Sequence, residues 1–184
     1  MKINKLSSLY IKTKIVEHSY NKKKLLSLIN KGNFSSFDNI HRTDWHFDKN
    51  TKREYLDLFY KIITPYMDKM CLTMKAKTWR IHNGWFQQYK KNNCHEWHRH
   101  AEANFANVYY LELPETASKT QIIVPWDQKT VIEIDVKEGD ILSFPSFVIH
   151  KGPKNLSSEK KTIVSYNTNL TFSDNLYNTY LEDS

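Results

Sequence analysis

The feature that most constrains this chain is a change of texture at Thr78. From there to residue 170, short runs rich in β-branched and aromatic residues follow one another: 79–89, 105–113, 120–125, 130–136, 141–144 and 162–170. Turn signals separate them at Asn92-Asn93, Pro114, Trp126-Asp127 and Glu138-Gly139-Asp140. Many short strands with punctuation of this kind predict an antiparallel barrel or sandwich, because a strand must bury one face and satisfy its edges.

The first 77 residues read differently. Residues 8–16 (Ser-Leu-Tyr-Ile-Lys-Thr-Lys-Ile-Val) suit an edge strand. Residues 21–31 predict a short helix capped by Asn21, striped by Leu25, Leu26 and Ile29, and stopped at Gly32. A second helix is marked by Thr51 and Glu54 at capping-box spacing, then by Tyr55, Leu58, Phe59, Ile62 and Ile63 at helical period. Pro65 should kink or split it, with a continuation through Tyr66, Met70 and Met74. The expected architecture is mostly β with flanking helices, the helices packed outside the barrel. It forms a single domain over 1–184, divided into an N-terminal segment (1–77), a β core (78–170) and a C-terminal tail (171–184).

Bulk properties narrow the function classes. A chain of 184 residues can bury one core around a small-molecule cavity, and 14% aromatic content excludes a disordered chain. The formal charge is +7, but it comes almost wholly from lysine; arginine occurs at positions 42, 53, 80 and 99. A solvated lysine surface explains it, and no arginine-rich stripe or nucleic-acid motif is present. Cys71 and Cys94 have neither zinc-like nor redox spacing, so free thiols in a reducing compartment are expected. No apolar leader and no membrane-length apolar stretch is visible, which predicts a cytoplasmic protein.

The chemistry sits in two places. In Cys94-His95-Glu96-Trp97-His98-Arg99-His100, residues two apart on a strand share a face. His98 and His100 would then point inward together, Arg99 outward, and His95 away from His98. Two imidazoles at that spacing can grip one metal ion. The third ligand is expected from His150, which follows the Gly139-Asp140 turn, an inward strand and the bend at Pro145. His18, His41, His46 and His82 stand outside this pattern and read as surface or packing residues.

Taken together, His98-Arg99-His100, Val108-Tyr109-Tyr110-Leu111, Gly139-Asp140 through Phe144-Pro145-Ser146 to His150, and Lys161-Thr162-Ile163-Val164-Ser165-Tyr166-Asn167 resemble the 2-oxoglutarate/iron(II) oxygenases. The nearest likeness is to a branch with His-x-His in place of His-x-Asp; the prolyl-hydroxylase-like enzymes share the ordering. The resemblance covers roughly 78–170. It implies a double-stranded β-helix, iron(II) as metal, and 2-oxoglutarate and O2 as co-substrates, with succinate and CO2 released as an unknown substrate is hydroxylated. It further implies His98 and His150 as the two histidine ligands and His100 in the carboxylate position. Glu102 is the alternative third ligand. Lys161 matches the basic residue that pairs the far carboxylate of 2-oxoglutarate, Lys160 if the register slips by one. Tyr110 and Asn167 match pocket positions. Trp85, Phe86, Trp97 and Phe105 could form a dry wall.

Two other readings fit the same residues. One is a cupin-type metalloenzyme that uses no 2-oxoglutarate, although Glu102 follows His100 too soon for the usual cupin glutamate. The other is a non-catalytic metal-binding β-barrel.

Overall fold

A computed structural model describes residues 9–48 and 50–172. The elements in chain order are β1 (Ile11–Lys14), α1 (His18–Lys31), β2 (Ser35–Phe37), β3 (Ile40–Thr43), α2 (Glu54–Thr73), β4 (Thr78–Tyr89), β5 (His95–His98), β6 (Phe105–Glu112), β7 (Gln121–Ile123), β8 (Val131–Glu133), β9 (Asp140–Pro145), β10 (His150–Gly152) and β11 (Lys161–Thr171). They form a seven-stranded sheet, β1-β9-β6-β11-β4-β3-β2, and a four-stranded sheet, β5-β10-β7-β8. Every pairing is antiparallel. The two sheets face each other as a double-stranded β-helix with both helices outside.

Strand alternation builds two cores from one sheet. Along β6, Phe105, Tyr109 and Leu111 join a cluster with Phe59, Ile63 and Met67 of α2 and Leu25 and Ile29 of α1. Ala106, Val108 and Tyr110 face the other way, into a cluster between the sheets with Ile122, Leu142, Phe144 and Ile163. The N-terminal segment is not a separate layer. β1 pairs with β9, and β3 pairs with β4 at Gln87 and Gln88, so it extends both edges of the large sheet.

Both helices start differently from their sequence signals. α1 begins at His18, so Asn21 lies inside it, buried, rather than capping it. The early start is fixed from outside the helix: His18 is hydrogen-bonded to the Tyr109 hydroxyl (2.6 Å) and to Glu138 (3.1 Å). Glu138 stands beside Gly139, whose positive φ of 86° allows the turn, and a Cβ there would meet the His18 ring at 2.8 Å. α2 begins at Glu54 after Arg53, and Thr51 makes no cap. Pro65 lies on the exposed side within the continuous helix 54–73 and does not split it.

Arg53 and Asp44 explain where α2 attaches. Asp44 is fully buried and accepts hydrogen bonds from the Tyr55 hydroxyl (2.5 Å), the Phe86 amide (3.0 Å) and Arg53 (3.4 Å). Arg53 also donates to the Gly84 carbonyl at 3.2 Å. These bonds satisfy the free edge of β4 where β3 no longer covers it. Replacing Asp44 with Ala leaves the Tyr55 hydroxyl and the Phe86 amide unpaired and Arg53 without its counter-charge, and is expected to cost about 3–5 kcal/mol in urea unfolding. Asp44→Asn, which keeps an acceptor, should cost less. A loss below about 1 kcal/mol for the alanine variant would show that the cluster does not hold the helix.

Candidate metal centre and co-substrate pocket

The histidines meet where the small sheet faces the large one. β5 and β10 pair so that His150 lies directly across from His98. The ring centroids of His98 and His150 are 4.2 Å apart, those of His98 and His100 5.3 Å, and those of His100 and His150 5.2 Å. One nitrogen from each of the three can be chosen so that all lie within 4.8 Å of one another. His100 reaches this position from beyond the end of β5, not from a second inward strand position; its amide donates to the Ser146 carbonyl at 2.9 Å.

Backbone carbonyls set the tautomers. His98 Nδ1–H donates to the Glu96 carbonyl at 2.7 Å, and His150 Nδ1–H to the Val148 carbonyl at 2.9 Å. Each Nε2 is thereby left with its lone pair free, the arrangement that metal-binding histidines require. Burial acts in the same direction. It lowers the pKa of His98, lowers that of His150 well below the ordinary value, and brings His100 down to about 4, with neighbouring imidazoles adding to the shift for His150 and His100. The set is therefore neutral at pH 7 and ready to bind. A divalent cation suits it.

His95 departs from the strand-alternation reading. It stacks on His98, with centroids 3.9 Å apart. The cause lies in the ladder: His150 opposes His98 and Gly152 opposes His95, so two steps on β10 match three on β5. The extra residue is a β-bulge, which reverses the facing of side chains across it. Burial lowers the His95 pKa to about 3, and it contacts Gln87 at 3.3 Å. Glu102 lies elsewhere, mostly exposed and bonded to His82 at 2.8 Å.

This cluster makes the metal-free protein acid-sensitive. Imidazoles in an unfolded chain titrate near 6.5, whereas these four titrate below that when folded. Between those values the unfolded chain binds more protons, so stability falls as pH drops from about 6.5. The urea midpoint of metal-free protein should decline from pH 7 to 5, and a His95→Asn/His100→Asn double variant should flatten part of that decline. An unchanged midpoint over this range would contradict the burial.

Lys161 enters the same cavity from the large sheet. Lys161, Ile163 and Ser165 alternate along β11 and all border the cavity, together with Thr120 and the three histidines. Lys161 is 2% exposed, and its Nζ donates to the Ser118 carbonyl at 2.7 Å. Burial brings its pKa down to about 8. Lys160 points outward and pairs with Glu112 at 3.5 Å. The Tyr110 hydroxyl is bonded to Thr120 Oγ1 at 2.5 Å, one side chain behind the cavity wall. Asn167 donates to Asn83 at 2.8 Å and lies beside His100, where it opposes the fall in that ring's pKa. Of the four aromatic residues expected as a wall, Trp85 borders the cavity and stacks on His100. Phe86 and Phe105 belong to the helix-side core, and Trp97 lies on the outer surface under Lys151. Sequence reasoning missed Thr120, Gln87 and Tyr89. The period-2 alternation from Trp85 could have found the last two.

Known proteins of similar sequence or fold point to one kind of site. Residues 83–167 match the family described as "Putative 2OG-Fe(II) oxygenase". Among solved structures, an oxidoreductase of the 2OG-Fe(II) oxygenase family from Burkholderia pseudomallei superposes with a TM-score of 0.70 at 10% identity, over 88% of this chain and 84% of that one. The viral collagen prolyl hydroxylase of Paramecium Bursaria Chlorella virus-1, in its 2OG complex, gives 0.58 at 16% identity, over 90% and 97%. A Pseudomonas putida prolyl-4-hydroxylase gives 0.59 at 11%, over 89% and 92%. At these identities the structural likeness is one of fold. No curated protein matches the sequence. Over this matched segment the chain is similar to the 2-oxoglutarate/iron(II)-dependent oxygenases. The chemistry of that family uses Fe(II) and 2-oxoglutarate, and the His98, His100 and His150 cluster could hold such a metal.

Proposed function

We propose that the protein hydroxylates its substrate with an iron(II) ion held by the Nε2 atoms of His98 and His150 and by the His100 ring, and with the far carboxylate of 2-oxoglutarate held by Lys161. The observation that carries this reading is the convergence of three neutral imidazoles and one buried ammonium on a single cavity. When bound, iron couples O2 reduction to oxidative decarboxylation, so that 2-oxoglutarate, O2 and a C–H bond become succinate, CO2 and a C–OH group.

The residues supply placement. The Glu96 and Val148 carbonyls hold two rings in one tautomer and orientation. The all-histidine set adds no negative charge, so the dianion of 2-oxoglutarate balances the cation. Lys161 already donates to a neutral carbonyl, and a carboxylate is a stronger acceptor for the same ammonium. Thr120, aligned by Tyr110, offers a hydroxyl beside it, and Asn167 steadies His100. Ala106, Val108 and Ile163 exclude water. No helix among the described residues is long and apolar enough to cross a membrane. Cys71 and Cys94 are free and buried, and we place the enzyme in the cytoplasm on that chemistry. Calorimetric titration of 2-oxoglutarate into nickel-loaded protein should show one site per chain. Metal uptake without 2-oxoglutarate binding would transfer the site to a metalloenzyme that uses no such co-substrate.

A further inference from the structure

A second cavity opens on the outer side of the histidines. Its volume is about 300 Å³, at the small end of the range for small-molecule sites. Its floor is His98, His100 and Trp85, which also border the inner pocket. One wall comes from the β2–β3 hairpin, with Phe37, Ile40 and, just past β3, Trp45. Phe37 and Trp45 pack at 5.4 Å between ring centroids, yet Trp45 stays 54% exposed. An indole held half open against a second ring is an apolar surface with no protein partner.

Two opposite charges border the same cavity. Asp38 lies in the hairpin turn and Arg99 between the two histidines of the floor. Both are exposed, and neither makes a side-chain hydrogen bond or ion pair among the described residues, so both are free to meet a ligand's charges.

We propose that this groove binds the primary substrate, and that the substrate is a small zwitterion with an apolar body, such as a free α-amino acid carrying a bulky apolar side chain. The ammonium pairs with Asp38, the carboxylate with Arg99, and the apolar side chain lies along Trp45, Phe37 and Ile40 toward the histidine floor. This rests on the reading of that floor as the metal site. A residue inside a polypeptide carries neither terminal charge and would leave both Asp38 and Arg99 unpaired. A single cation beside an anion is equally ill suited to a phosphate backbone.

The test is a titration of leucine, isoleucine, phenylalanine and tryptophan, as free L-amino acids, into metal-free protein and into protein loaded with nickel and 2-oxoglutarate. At least one should bind in both forms. N-acetylation or methyl esterification of that amino acid should weaken binding about fivefold or more. Asp38→Asn, which the left-handed turn (φ 49°) tolerates, should remove discrimination against the acetylated form, and Arg99→Gln that against the ester. Equal binding of a doubly capped tripeptide would overturn the proposal in favour of a polypeptide. So would no amino-acid binding to protein that takes up nickel and 2-oxoglutarate. Amino-acid binding without nickel uptake would uphold the groove and overturn the metal reading instead.

Discussion

Replacing His150 with Ala is expected to lower metal affinity by on the order of 100-fold or more, because it removes one of three ligand nitrogens from a pre-oriented set; loss of outer-shell partners alone costs about 10–100-fold. His98→Ala should do the same. Wild-type protein should retain about one divalent ion per chain through gel filtration, and either variant should lose it with its circular dichroism unchanged. His100→Ala tests the third position. If His100 is a ligand, its loss should match that of His98, while Glu102→Ala changes nothing, since Glu102 is turned to His82. Stoichiometric metal in a His98→Ala/His150→Ala double variant would remove the site altogether.

Lys161→Met should weaken 2-oxoglutarate binding by about ten- to a hundredfold, because a charge-assisted hydrogen bond contributes about 1.5–3 kcal/mol. Lys160→Met should leave it nearly unchanged, its ammonium being engaged with Glu112 outside the cavity. Burial has brought the Lys161 pKa down to about 8 from its ordinary value of 10.5. Two consequences have opposite signs. Affinity for 2-oxoglutarate should be steady below pH 8 and fall as the ammonium loses its proton above it. The ligand-free protein should become more stable as pH rises from about 8 to 10.5, since there the unfolded chain binds the extra proton. Lys161→Met should therefore lose co-substrate while its ligand-free form unfolds at higher urea. Calorimetry and urea titration on the same preparations separate these effects. Full co-substrate affinity in the variant would show that the buried lysine has a different role.

Much of this was legible in the sequence because it depends on local pattern. The β-type runs at 79–89, 105–113, 141–144 and 162–170 correspond to β4, β6, β9 and β11, where side chains alternate between two cores, interrupted in β4 by one bulge at His82. Lys161 rather than Lys160 faces the cavity for the same period-2 reason. The failures arise where tertiary contacts outvote local ones. His95 was placed on the wrong face because one extra residue in β5 is visible only against its partner strand β10. The starts of α1 and α2 are set by Tyr109, Glu138 and Asp44, each distant in sequence from the helix it anchors or lying before it. The β2–β3 hairpin was missed because its strands have three and four residues, although Asp38-Asn39 between Phe37 and Ile40 is a turn signal.

On the proposed reading His98, His100 and His150 hold an iron that oxidises through 2-oxoglutarate. The most direct measurement is succinate released from 2-oxoglutarate by iron-loaded protein in air, with wild type and His150→Ala side by side and the candidate amino acids added to both. Succinate that requires iron, rises with substrate and disappears in His150→Ala is the predicted result. Iron-loaded wild type that binds 2-oxoglutarate and every co-reactant yet forms no succinate, or a His150→Ala variant that forms it undiminished, would contradict the claim.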